Sequence, residues 1–164
     1  ESFLQQLLGR LFSFYSEDPS RATCVFPGLV EVIGELADQR IRWGVVTNKP
    51  AALAGPIVAA LDIAPAPACL IGGDSFPRKK PDPMPLVEAC RQVGVEPNEA
   101  IYVGDADIDA RAAHAAGLSF VVAGFGYAPP RSATGAWGKL QYAADTGALA
   151  RIVGLRTEST AGTT

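Results

Sequence analysis

Apolar residues at spacings of three and four open the chain: Phe3, Leu4, Leu7, Leu8, Leu11, Phe12 and Tyr15 share one face of a helix predicted over Ser2–Tyr15. "SEDPSRATCVFPG" then breaks the pattern with Pro19, Pro27 and Gly28 and reads as a linker. From there helical and strand-like patterns alternate. Val32, Ile33 and Leu36 mark a helix over Leu29–Gln39, and the β-branched run "IRWGVVT" marks a strand over Ile41–Thr47. Pro50 suits the first turn of a helix reaching about Leu61, "ACLIGG" is a short strand, and Pro85 opens a helix that stops near Gly94. "AIYVGD" is the next strand, Ile108–Ala116 a helix closed by Gly117, and "LSFVVAGFGY" the last strand assigned. Strands separated by helices predict an α/β fold: a Rossmann-like, three-layer parallel sheet with helices on both faces. The polar stretch "RTESTAGTT" has no periodicity and is expected to be disordered.

Composition narrows the class without naming a chemistry. The 164 residues are 48% hydrophobic and 19% charged, with a net charge of −3, which describes one globular domain. No basic run supports contact with a nucleic-acid backbone, and no apolar run reaches membrane-spanning length. Cys24, Cys69 and Cys90 lack the close spacing of a zinc site or redox pair, so they read as small buried hydrophobes in a reducing, cytoplasmic protein. Trp43 and Trp137 read as packing residues, and His114, in an Ala-rich helix, as packing or surface.

The candidate chemistry gathers at strand ends, where open α/β sheets bind ligands. Thr47 and Asn48 end one strand, "RKKPDP" follows the next, and Asp105 ends a third. The topology brings a hydroxyl, an ammonium and a carboxylate to one crevice. Together these suit a phosphate and a divalent cation: Thr47 donates to a phosphoryl oxygen, Lys80 offsets anionic charge, and Asp105 offers a hard oxygen to Mg²⁺. Each has a plainer reading alone. Thr47 could simply end a β-branched strand, Lys80 be a solvated loop lysine like Arg78 and Lys79, "KPDP" form a rigid turn, and Asp105 or Asp107 cap the following helix.

Taken in the order Thr47, Lys80, Asp105, the chain resembles the haloacid dehalogenase superfamily of phosphatases, and within it the phosphoglycolate phosphatases. "WGVVTNKP" is similar to the second motif of that family, "GGDSFPRKKPDP" to the third with Lys80 as its lysine, and "YVGDADIDARAAHAAG" to the fourth, GDxxxD. "FGY" and "AWG" add to the likeness. The resemblance implies Mg²⁺-dependent hydrolysis of a small phosphorylated metabolite through a phosphoaspartyl intermediate. It implies that Thr47 holds a phosphoryl oxygen with Asn48 beside it, Lys80 balances nucleophile and phosphate, Asp105 ligates Mg²⁺, and Asp109 orients Lys80 or a metal-bound water. Asp107 falls outside the pattern and goes to the surface or the helix start.

The family's first motif, DxDGT, supplies both the nucleophile and the acid, and no such string occurs in these residues. Asp38, Asp62, Asp74 and Asp82 do not replace it, because none follows an apolar strand and precedes a Gly-Thr turn. The expectation is a truncated phosphatase, inactive alone, with residues 1–26 a remnant of a helical cap and linker, 27–155 the core and 156–164 a tail. The missing strand belongs between those ending at Thr47 and Asp105, which leaves two inner edges unpaired. Such a sheet must close up, recruit a strand or misfold. Rival readings are a sugar-phosphate phosphatase, such as one for N-acetylmuramic acid 6-phosphate, and a non-catalytic or split-enzyme module. A phosphoacceptor receiver is disfavoured because its acidic cluster precedes the Thr and Lys.

Overall fold

The computed structural model describes residues 21–155 apart from 132, 138 and 139, together with positions 3, 6, 7, 10 and 13, which are helical. Most of the predicted first helix, and so the cap remnant, lies outside the described residues, as does 156–164. No helix among the described residues is long and apolar enough to cross a membrane.

Helix α1 (Leu29–Asp38) starts after Gly28, whose φ of +79° turns the chain, and buries Val32 and Ile33. Strand β1 is Val45–Val46, shorter than the predicted Ile41–Thr47, because Ile41 and Gly44 stay exposed and only two residues register with β2 (Leu70–Ile71). Between them runs α2 (Ala51–Ala60), and after β2 comes α3 (Met84–Val93), ended by Gly94 at φ +67°. Strand β3 (Ile101–Gly104) leads into α4 (Asp107–Ala116), ended by Gly117, and then β4 (Ser119–Ala123). The predicted last strand is cut at Ala123: the "GFGY" that follows turns back toward Asp105 instead of extending.

Two elements escaped the sequence reading, β5 (Gln141–Ala143) and α5 (Thr146–Ile152). Asp145 caps α5 by accepting from the Ala148 amide at 2.6 Å, and this Asp, with Leu149 and Gly154 behind it, is the signal that marked the helix.

All pairings are parallel, in two sheets: β1–β2, and β3–β4–β5. Strand β4 is covered on both sides, which is why it reads as an unbroken apolar run. Phe120 and Val122 face a core with Leu86 and Cys90 of α3 and the alanines of α4; Val121 faces the other way, with Ala143 and Leu149. The α/β prediction with helices on both faces therefore holds. Cys69 and Cys90 are buried as expected, but Cys24 is exposed, since its segment has no apolar periodicity to tuck under a layer.

The sheet is open where the absent strand was expected. Among the described residues, β1 pairs only with β2 and β3 only with β4, so each keeps one free edge. On one side of β3, Ile101 and Val103 remain 44% and 36% exposed, while Tyr102 between them packs on the core. The halves neither close by strand pairing nor separate, because α3 packs under β1, β2 and α4 together.

The Val45 amide donates to Cys69, just before β2, the Thr47 amide to Ile71 on β2, and the Ser119 amide to Ala100, so by alternation the amides of Val46 and Val103 point to the free edges. In hydrogen exchange they should be at least about a hundredfold less protected than those of Val121 and Val122. Equal protection would mean that the edges are paired.

Candidate active site

The carboxyl ends of four strands deliver the side chains. Thr47 leaves β1, the loop with Lys80 follows β2, Asp105 follows β3, and residues 124–127 follow β4. The Thr47 amide still donates to Ile71 on β2, while its Oγ1 accepts from the Lys49 amide at 3.1 Å, a turn that leaves its hydroxyl hydrogen to offer elsewhere.

At the centre lies an ion pair. Lys80 Nζ stands 2.7 Å from Asp109 Oδ1, with the two residues only 7% and 6% exposed. Desolvating two charges costs several kcal/mol per ion unless every remaining donor and acceptor is met. Here they are met. Lys80 donates its other hydrogens to the Val46 carbonyl at 3.0 Å and the Tyr102 hydroxyl at 2.6 Å. Asp109 Oδ2 accepts from the Asp105 and Ala106 amides at 3.3 and 3.2 Å, which also caps the first turn of α4. Gly104 is required by this arrangement, since a Cβ there would stand 2.7 to 2.9 Å from Asp109 side-chain atoms. Of the two partners expected for Asp109, Lys80 is one that it bonds directly.

Asn48 sits beside the pair but reaches the loop backbone: its Nδ2 donates to the Lys80 carbonyl at 2.8 Å, while its buried Oδ1 has no partner among the described residues. Arg78 and Lys79 stay on the surface, Arg78 pairing with Asp82, and Asp107 is an exposed first-turn residue 3.7 Å from Arg111. His114 is exposed, and Trp43 and Trp137 are half-buried.

Asp105 is held differently from Asp109. Its Oδ2 accepts from the Tyr127 amide at 2.9 Å, and no described residue bonds Oδ1. Mg²⁺ uses one or two carboxylates with water and substrate phosphate, so Asp105 Oδ1 fits as a single ligand. No group of three or more acidic, His or Cys side chains that could hold a metal ion gathers among the described residues.

Tyr102 is the site residue that sequence reasoning missed. Its hydroxyl lies within hydrogen-bond reach of Lys80 Nζ, the Val46 carbonyl at 3.0 Å and Asp109 Oδ1 at 3.3 Å, and its ring is tilted against Phe120. The available signal was a phenol in an otherwise aliphatic strand, two residues from Gly104 and so on the same face.

A sequence profile described as "Haloacid dehalogenase-like hydrolase" matches residues 2–123. The chain belongs to that family. Among its relatives, the phosphoglycolate phosphatase of Rhodospirillum rubrum is 39% identical over 123 residues, 75% of this chain and 51% of that protein. The phosphoglycolate phosphatase of Escherichia coli K12 is 37% identical over 123 residues, 74% of this chain and 49% of that one. Among solved structures, one described as a predicted phosphoglycolate phosphatase from Haemophilus somnus superposes with a TM-score of 0.77 at 30% identity, covering 88% of this chain and 64% of that chain. The haloacid dehalogenase-like chain thus spans about half the length of the curated relatives it matches.

Burial, then the neighbouring Asp109 carboxylate, pushes the Tyr102 phenol far above its usual range. A pKa raised on folding favours the protonated phenol in the native state, so its contribution is complete below the unfolded value near 10 and is lost as pH rises above it. Wild-type stability should therefore fall more steeply above about pH 10 than that of Tyr102→Phe in denaturant titrations. Parallel curves would contradict the placement of this hydroxyl.

Proposed function

We propose that these residues form the Thr, Lys and Asp portion of a phosphomonoesterase acting on a small phosphorylated metabolite, 2-phosphoglycolate in the first instance. The observation that carries this reading is the buried Lys80–Asp109 pair at the same strand ends as Thr47 and Asp105. The relatives named phosphoglycolate phosphatase support the choice of substrate. The domain reading goes with it: 27–155 as the catalytic core and 1–26 as the end of a cap and its linker. A cytoplasmic setting rests on three thiols without the spacing of a redox pair.

In this reading Thr47 donates its hydroxyl to a phosphoryl oxygen. Lys80 places a positive charge against the same group, its position set by Asp109 and by the Asn48 clamp on its loop. Asp105 Oδ1 would hold Mg²⁺ in part, and the ion would neutralise phosphate charge there. Charge offset of this kind lets an anionic nucleophile approach an anionic ester. The nucleophilic aspartate and its acid partner are not among these residues, so group transfer depends on a DxDGT-bearing strand from outside them. The open slot between β1 and β3 lies beside Thr47 and Asp105, the position from which such a strand would reach the phosphate.

The chain alone, with Mg²⁺ and 2-phosphoglycolate, should show no turnover. Fused behind an apolar strand ending in DxDGT, it should gain phosphate release that Lys80→Ala or Asp105→Asn reduces by at least about a hundredfold, the scale of losing one charge-stabilising group. Turnover by the unfused chain that Asp105→Asn abolishes would overturn this reading.

A further inference from the structure

The Lys80 ammonium has three hydrogens, and all three are committed: to Asp109 at 2.7 Å, Tyr102 at 2.6 Å and the Val46 carbonyl at 3.0 Å. A phosphoryl oxygen can meet Lys80 only by displacing one of these partners. Asp109 is the costly one to release, since it is charged and buried. Tyr102 makes the shortest of the three contacts. The Val46 carbonyl is neutral and the farthest, and it lies on the free edge of β1, where no strand among the described residues takes it. It is the partner to exchange.

Releasing that carbonyl would strand a part-buried acceptor unless another donor remained. Tyr102 provides one. Its hydroxyl accepts from Lys80 and lies 3.0 Å from the Val46 oxygen, nearer than its 3.3 Å to Asp109 Oδ1. We propose that Tyr102 is a positioning residue of the phosphate site: its hydroxyl lets Lys80 trade the Val46 carbonyl for a phosphoryl oxygen while leaving neither group unpaired. This rests on the phosphatase reading above. Tyr102 meets no substrate atom itself; it acts through Lys80 and across the slot, as the only side chain besides Lys80 that the described hydrogen bonds tie to Val46. A phenol is protonated at neutral pH, and burial raises its pKa further, so the donor is present there.

The test is nuclear magnetic resonance of the 164-residue chain with ¹⁵N-labelled lysine, titrated with inorganic phosphate in Mg²⁺. In the free wild type the Lys80 Nζ hydrogens should exchange slowly with water and show a nuclear Overhauser contact to the Tyr102 hydroxyl hydrogen. Phosphate should shift the Lys80 Nζ resonance. Tyr102→Phe should keep the backbone amide spectrum and lose about tenfold in phosphate affinity, the scale of one hydrogen bond to a charged group. Affinity within about twofold of wild type would overturn the proposal, because one lost charged-group hydrogen bond exceeds that. Should Tyr102→Phe perturb the amide spectrum, the wild-type contact decides, and its absence overturns the proposal. Lys80→Met separates the two readings. Phosphate bound equally by wild type and Lys80→Met contradicts the phosphate site, whereas a missing Lys80–Tyr102 contact contradicts the role of Tyr102 alone.

Discussion

Two opposite charges held 2.7 Å apart, both almost wholly out of water, constrain everything around them. Lys80 comes from the loop after β2 and Asp109 from the first turn of α4, so the pair ties one sheet to the other. Its desolvation is tolerable only because each remaining position is filled: the Val46 carbonyl and Tyr102 on the ammonium, the Asp105 and Ala106 amides on the carboxylate. Those same bonds set the start of α4, the exit of Asp105 from β3 and the absence of a side chain at Gly104. Fold and site share one set of hydrogen bonds here.

The open slot follows a different logic. A sheet interrupted between β1 and β3 exposes unpaired amides and apolar surface, a state that natural proteins ordinarily cover. The sequence expectation offered closure, recruitment or misfolding. What the structure has instead is side-chain bridging, with α3 spanning beneath both sheets and Lys80 and Tyr102 reaching the β1 edge. The exposure of Ile101 and Val103 shows that the bridge covers one face only. The DxDGT-bearing strand proposed to complete the chemistry would also complete the sheet, which makes stability and catalysis one question in this chain.

Much of this was legible from pattern. Long elements with clear caps, such as α3 with Pro85 and Gly94 or α4 with Gly117, stand where periodicity put them, and β4 declared its double burial through an unbroken apolar run. Thr47, Lys80 and Asp105 drew attention as a hydroxyl and two charged groups that follow strands, and Asp109 through the likeness to GDxxxD; the structure shows Lys80 and Asp109 bonded to each other. The misses have physical reasons. Strand β1 shrank because pairing, not apolarity, defines a strand, and β2 offers only two residues of register. Strand β5 has three residues, too few for alternation to show, and α5 was overlooked despite its Asp145 cap. Cys24 was misplaced by applying a residue-type tendency to an aperiodic segment. Tyr102 went unnoticed because a tyrosine in a strand is ordinarily packing, and only geometry reveals a hydroxyl shared among three partners.

A double-mutant cycle on Lys80→Met and Asp109→Asn, read by urea denaturation of the chain, measures most directly whether this pair holds the two halves together. Each single variant should lose about 3 kcal/mol or more, because it leaves its partner buried and unpaired, and the double variant should recover much of that loss. A coupling energy below about 0.5 kcal/mol, the value of a solvent-exposed pair, would contradict the account.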